Sequence, residues 1–298
     1  MGILQKCITS DGLVMAAFLD STDIVLEALR IHKCTPVAAA ALGRLLTGAS
    51  IMGNKLKEDN ASITVRIGGT GPLGALIAVS DSNGNVRGYT QEPGVILAPT
   101  PDGQLDISGA VGKDGQLAVI KDYGAGQPWS AQIPLVTGEI SEDITAYYAI
   151  SEQIPTVLSL GVHFDKLWRV DYAGGLIIQL LPAADEREIV KLEATLKGMP
   201  SVADMMADGM SPCDILTRAL EGFEVEFFDE ETTEYRCNCS ISRVRRALLT
   251  LGADDIRELA GDEDCAQIEC HFCDKKYTLS KQELHELACV AEAAKNGQ

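Results

Sequence analysis

The sequence predicts an α+β protein: an N-terminal mixed α/β-sheet core domain, a short helical linker and a small C-terminal four-cysteine zinc domain. Three observations lead there. Strand-like apolar alternation is grouped within the first 180 residues, with helical patterns set apart from it rather than interleaved strand by strand. Charge is unevenly spread: residues 181–235 hold 14 acidic against 4 basic side chains, so −10 of the chain's net −18 sits in that stretch. Six of the nine cysteines fall after residue 236. The expected boundaries are therefore 1–180, 181–235 and 236–298. A length of 298 residues with 46% hydrophobic content is ample for a buried core and excludes overall disorder.

Within residues 1–180, Thr35-Pro36 opens a helix through Val37, Leu42, Leu45 and Leu46 to about Lys55, with Thr35 as N-cap and Pro36 in the first turn. Ile63, Val65 and Ile67 alternate as a strand. Leu73–Val79 and Val86–Tyr89 follow as two strands joined at Asn83-Gly84. Ile107–Val111 and Leu117–Lys121, around Lys113-Asp-Gly115, read as a further hairpin. Ser141–Gln153 reads as a helix that must stop before Pro155. Leu158–Val162 and Leu167–Leu181 complete the strands.

The linker reads as three short helices. Asp185–Lys197 carries Ile189, Leu192 and Leu196 on one face, and Ser201 opens a second helix ending near Gly209. Ser211-Pro212 opens a third, with Ile215, Leu216 and Leu220 apolar and Gly222 closing it. Helices this short are marginal without tertiary packing, so the segment is expected to unfold locally. In the last unit, Ser240 or Ser242 caps a helix that Gly252 ends, Asp254–Leu259 makes a helical turn, and Ser280-Lys-Gln-Glu283 is a capping box. Some 60 residues with few large apolar groups need a staple.

A pI near 4.6 argues against nucleic acid as a main partner. No apolar run reaches the ~18 residues that span a bilayer; Val157–Val162 and Leu176–Ala184 fall well short. No basic, apolar leader opens the chain. The expected location is the reducing cytoplasm, where clustered cysteines mean metal or redox chemistry more often than static disulfides.

The cysteines are spaced accordingly. Cys237-Asn-Cys239 and Cys270-His-Phe-Cys273 supply a C-x-C and a C-x-x-C pair, and four thiolates suit tetrahedral zinc at ~2.3 Å. Zinc is redox-inert, so any redox response belongs to the sulfurs. His271 is an alternative ligand that four thiolates make superfluous, and Cys265 and Cys289 are rival thiols that fit neither pair. Cys7, Cys34 and Cys213 are isolated and read as small buried hydrophobes. Other patterns carry little. Gly68–Gly74 is glycine-rich, but Pro72 interrupts it and a strand follows, so no helix terminus is there to cradle phosphate. No hydrolase triad or ATP site is visible, which makes an enzyme unexpected.

Tyr235-Arg-Cys-Asn-Cys-Ser240, Arg243-Val244, Ala247-Leu248, Leu251-Gly252 and Cys270-His-Phe-Cys273 together resemble the zinc-binding C-terminus of the 33-kilodalton heat-shock protein family, the redox-regulated bacterial chaperones. Gly71–Gly74, Val86–Tyr89, Val136–Ile140, Ser151–Gln153 and Gly174–Gln179 are similar to that family's core, so the resemblance spans nearly the whole chain. It implies an ATP-independent holdase for unfolding proteins under oxidative and heat stress, often a homodimer when active. It implies one zinc per reduced chain on Cys237, Cys239, Cys270 and Cys273. It further implies that oxidation to Cys237–Cys239 and Cys270–Cys273 disulfides releases the metal, unfolds the linker and activates the protein. Cys265 and Cys289 depart from the family's minimal four. On this reading Ile189, Leu192, Leu196, Ile215, Leu216 and Leu220, with the core face they cover, are the expected client surface. A zinc-ribbon adaptor with static zinc and a thiol oxidoreductase are the competing expectations. Oxidant-resistant zinc would mark the first and turnover of a disulfide substrate the second.

Overall fold

In a computed structural model that describes residues 1–261 and 264–296, the chain divides into two compact units, Met1–Arg236 and Cys237–Gln298. The first contains two antiparallel sheets and is α+β. One sheet is formed by β1 (Gly2–Thr9), β2 (Val14–Asp20), β8 (Thr156–Phe164) and β9 (Val170–Leu180), together with β10 (Val225–Phe227) and β11 (Glu231–Thr233). Its order is β10-β1-β2-β9-β8, and β11 also pairs with β1. The other sheet comprises β3 (Ser62–Gly69), β4 (Ala75–Asp81), β5 (Val86–Thr90), β6 (Gly115–Asp122) and β7 (Trp129–Pro134), in the order β5-β4-β3-β6-β7.

Helix α2 (Pro36–Asn54) packs on strands of both sheets, and α1 (Thr22–His32) lies against it. It is long and apolar enough to cross a membrane by length and composition, with mean hydropathy 1.2, but 89% of that window is buried in the fold. It is a core helix. Leu42, Leu45, Leu46 and Ile51 meet Ile63, Val65 and Ile67 of one sheet and Leu19 and Ile177 of the other. Pro36 occupies the first turn as expected, but the Thr35 hydroxyl makes no cap bond and instead donates to the carbonyls of Pro93 and Val95.

Alternation along β2 and β9 explains their near-continuous apolar sequence. Ala17, Leu19 and Ile177 face the α2 core, while Ala16, Phe18, Leu176 and Ile178 face a second core on the opposite side. A sheet buried on both faces loses the polar half of its alternation. The second cover is the acidic segment: α5 (Glu186–Leu196), α6 (Val202–Ala207) and α7 (Pro212–Ala219). Each helix starts on a side-chain cap, Asp185, Ser201 and Ser211 respectively.

Three expectations from local pattern are corrected, and one is refined. Ile107–Val111 is a short helix, α3, capped by Asp106, whose carboxylate accepts from the Gly109 N–H at 2.7 Å. The hairpin partner of β6 is therefore β7, reached through a long loop. Leu167 and Trp168 lie exposed in the turn before β9, with Trp168 at φ 59°, so that strand starts at Val170. The helix expected over Ser141–Gln153 is present and stops before Pro155, but its last turn is π-helical: α4 (Ile140–Tyr147) continues as Tyr148–Glu152. Residues 225–233, in the segment read as purely helical, form β10 and β11 by pairing with β1, a long-range contact that local pattern does not carry. Strands β1, β2 and β7 and helix α1 are further elements beyond those expected.

The glycine-rich loop has a packing role. The Gly71 N–H donates to the Val111 carbonyl at 2.9 Å and the Leu73 N–H to the Ala110 carbonyl at 3.0 Å. A Cβ on Gly69 would lie 2.0 Å from the Val111 carbonyl oxygen, a backbone atom with nowhere to go. Gly69→Ala is expected to cost about 1–3 kcal/mol. It should lower the melting temperature of the first unit while leaving bound metal per chain unchanged, as read by calorimetry and metal analysis.

Candidate metal centre

The second unit is small. It consists of α8 (Ile241–Leu249), α9 (Ala253–Ala260), the hairpin β12 (Cys265–Glu269) and β13 (Lys276–Ser280), and α10 (Lys281–Asn296). Its buried hydrophobic cluster is Leu248, Ile256, Leu279, Leu284 and Ala288. So slight a core needs a further crosslink.

Two chain segments present the cysteines. Cys270 and Cys273 sit on the tight turn of the β12–β13 hairpin. There the N–H groups of Cys273 and Asp274 donate to the Cys270 carbonyl at 3.1 and 2.8 Å, and the Cys270 N–H donates to Lys275 at 3.0 Å. Asp274 closes the turn at φ 55°. Cys237 and Cys239 precede α8, whose N-cap is Ser240; its hydroxyl accepts from the Arg243 N–H at 3.3 Å. The Arg243 guanidinium also donates to Asn238 at 2.6 Å, fixing the residue between the two cysteines. The capping box at Ser280 is formed, with the Ser280 N–H donating to Glu283 at 2.9 Å.

The four Sγ atoms lie within 4.8 Å of one another, and all four thiols are free. Cys237 and Cys270 approach to 3.7 Å and Cys239 and Cys273 to 3.4 Å. Sulfurs around a tetrahedral ion at ~2.3 Å stand about 3.8 Å apart. The cluster is thus close to the size such an ion requires, and a set of four thiolates suits a soft or borderline divalent metal. Cys265 and Cys289 are exposed and outside the cluster, and so is the exposed His271. Cys7 is buried in the second core of the first unit, where burial pushes its thiol up to about 11.

The thiols are not equivalent. Burial pushes Cys237 up to about 11 and raises Cys273 as well. Burial would raise Cys239 too, but the Tyr277 hydroxyl donates to its sulfur at 3.0 Å and neighbouring thiols add hydrogen bonds, bringing it down to about 7. Tyr277 lies on β13 opposite Ile268. Its role as donor is not legible from the spacing of the cysteines, although the alternation of the hairpin places it near the turn.

Metal binding must displace the protons that Cys237 and Cys273 hold at neutral pH. Because the bound form is deprotonated, affinity is highest at high pH and is lost as pH falls. Cys237 and Cys273 alone give an expected loss of about a hundredfold per pH unit, and the slope steepens below neutrality as Cys239, held near 7, takes up its proton as well. Zinc titration with a competing chelator between pH 6 and 8 measures that slope.

Nearly the whole chain matches known proteins. The family model for Hsp33 protein matches residues 3–280. The chain belongs to the Hsp33 family. The 33 kDa chaperonin of Clostridioides difficile (strain 630) is 43% identical over 282 residues, covering 95% of this chain and 97% of that protein. That of Acetivibrio thermocellus is 40% identical, covering 98% and 99%. The crystal structure of the 33 kDa chaperonin of Thermotoga maritima, a heat shock protein 33 homolog, superposes with a TM-score of 0.88 at 32% identity, over 98% of this chain and 99% of that one. The four-cysteine cluster of this Hsp33 chain is thus set in a fold shared along its full length.

The six apolar linker residues are not equivalent either. Leu192, Ile215, Leu216 and Leu220 are buried and Leu196 partly buried, all against the β2–β9 face. Ile189 is 39% exposed and lies outside that cluster, beside the exposed Val190. The face of α5 that meets α7 is set by Leu192 and Leu196; the turn holding Ile189 falls beyond it.

Proposed function

We propose that this chain is a redox-regulated, ATP-independent holdase chaperone, switched by the oxidation state of Cys237, Cys239, Cys270 and Cys273. The observation that carries the reading is the cluster of four free thiols within 4.8 Å, in a unit with little core of its own, in a chain of the Hsp33 family. Residues 1–180 are the stable core domain, 181–235 a metastable linker and 236–298 the switch. The relatives are chaperonins, which supports a binding protein rather than an enzyme.

In the reduced state the four thiolates hold one zinc ion, which supplies a crosslink and no redox chemistry. Apparent binding at such sites is worth ~10–16 kcal/mol, and that is folding free energy for a small unit. Peroxide oxidises each pair: two thiolates and two protons with one peroxide give one disulfide and two waters. The pairs are Cys237–Cys239 and Cys270–Cys273. Sulfurs committed to disulfides no longer ligate, and the unit loses its crosslink. The adjoining linker then leaves the β2–β9 face. Leu192, Leu196, Ile215, Leu216 and Leu220, already joined at the surface by Ile189, become accessible with that face, and clients bind there as unfolded chains. The linker's acidic excess keeps it soluble once open. The active form is a homodimer, and the setting is the bacterial cytoplasm under oxidative and heat stress.

The test is light scattering from a heat-unfolding client. Protein pre-oxidised with peroxide at elevated temperature should suppress scattering without ATP, and reduced, zinc-loaded protein should not. Equal behaviour of the two forms would reduce the cluster to a static structural zinc site, as in an adaptor.

A further inference from the structure

Residues 225–236 form a strap over two strand edges. On one sheet, β10 pairs Cys7 with Phe227 and Thr9 with Val225, and β11 pairs Gly2 with Thr233 and Leu4 with Glu231. Between them the Phe228 N–H donates to the Lys6 carbonyl at 3.0 Å, and the Gln5 side chain donates to the Phe228 carbonyl at 2.7 Å. The outer edge of β1 is therefore covered from end to end. The strap then crosses to the other sheet. The Val86 N–H donates to the Glu234 carbonyl at 3.0 Å, the Arg236 N–H to the Val86 carbonyl at 2.9 Å, and the Tyr235 hydroxyl to the Gly88 carbonyl at 2.9 Å. Val86 and Gly88 belong to β5, the end strand of its sheet.

The strap is a poor permanent edge strand. Its two pairing segments are three residues each. Glu224, Glu226, Asp229, Glu230, Glu231 and Glu234 crowd like charge along it, and the Lys6 ammonium pairs with Glu231. Phe227 and Phe228 stand 40% and 48% exposed. The residue after its last hydrogen bond is Cys237.

We propose that the strap is an intramolecular stand-in for a client, and that an extended segment of an unfolded protein replaces it by adding as a strand to the β1 edge and continuing onto β5. The proposal rests on the redox-holdase reading, which frees the strap. Backbone pairing suits a holdase because every unfolded chain carries the same N–H and C=O groups whatever its sequence. An uncovered β1 would otherwise be an open edge, which native proteins avoid. The occupant is specified by the present one: an extended peptide with an apolar side chain where Val225 now packs on the second core.

A synthetic peptide of residues 224–236 with Cα-to-Cα sequence intact, and the same peptide N-methylated at alternate amides, test this against oxidised full-length protein. The plain peptide should compete with client capture, and the N-methylated one should do so about tenfold more weakly or worse, since its side chains are unchanged and its backbone donors are lost. In reduced protein, Phe228→Pro removes the donor to Lys6 and should admit the plain peptide while the zinc content stays normal. Equal competition by both peptides, or by neither while client is still captured, overturns strand addition and leaves the holdase reading standing. Oxidised protein that dimerises with its β1 amides protected before any client is added gives the edge to a second copy and also overturns it. Oxidised protein that captures no client at all is failure of the holdase reading itself.

Discussion

Cys270→Ser is expected to abolish zinc binding at micromolar metal and to unfold most of residues 237–296, while the two-sheet unit keeps its melting transition. Cys270 supplies one of the four sulfurs, and its carbonyl accepts the two N–H groups that close the turn. Serine preserves that turn but replaces a soft thiolate with a weak hydroxyl ligand. Much of the ~10–16 kcal/mol available from a complete site is then lost. The remaining core of Leu248, Ile256, Leu279, Leu284 and Ala288 cannot replace it, because a small domain's net stability is only a few kcal/mol. The functional consequence is client capture by reduced protein, with no oxidant. Zinc per chain, far-UV circular dichroism and the scattering assay read the three parts separately. A folded, zinc-loaded variant would show that three sulfurs and a water suffice and that the crosslink is less critical than its size suggests.

Leu216→Ala should open the same switch from the other side. Leu216 is fully buried on the β2–β9 face among Phe18, Leu176 and Ile178. Truncating a buried leucine costs about 2–5 kcal/mol. Helix α7 is eight residues long and has little intrinsic stability to set against that loss. The variant linker should leave the sheet in a measurable fraction of reduced molecules. Client capture should appear with zinc still bound and with all four thiols still reactive toward a thiol reagent. Ile189→Ala, at an exposed position outside the cluster, should leave reduced protein inactive. If Leu216→Ala and Ile189→Ala behave alike, the covered face is not what the switch controls.

Much of this was legible in residue patterns, for identifiable reasons. The four-cysteine cluster was, because its members come as two local pairs, and a C-x-C and a C-x-x-C announce themselves by spacing. The caps at Ser211 and Ser280 were, because a capping box is a local contract between residues three apart. What escaped is non-local. Residues 225–233 become strands because β1 lies beside them, over two hundred positions earlier in the chain. Ile107–Val111 alternates like a strand but is turned into a helix by the Asp106 cap and the glycine loop packed on it. Tyr277 carries no ligand atom in the four-cysteine pattern, yet its hydroxyl holds the Cys239 thiol low. The apolar run Leu176–Leu181, broken only by Gln179, did carry a clue to the linker's position, since a strand apolar on both faces needs cover on both.

The central claim is that the thiol state of Cys237, Cys239, Cys270 and Cys273 sets whether the linker covers the sheet. Amide hydrogen exchange read by mass spectrometry, on reduced zinc-loaded protein and on peroxide-oxidised protein, tests it most directly. The account expects peptides covering α5, α6 and α7 to lose protection on oxidation, while those covering β3, β4 and α2 keep theirs. Equal protection of residues 181–235 in the two states would contradict it.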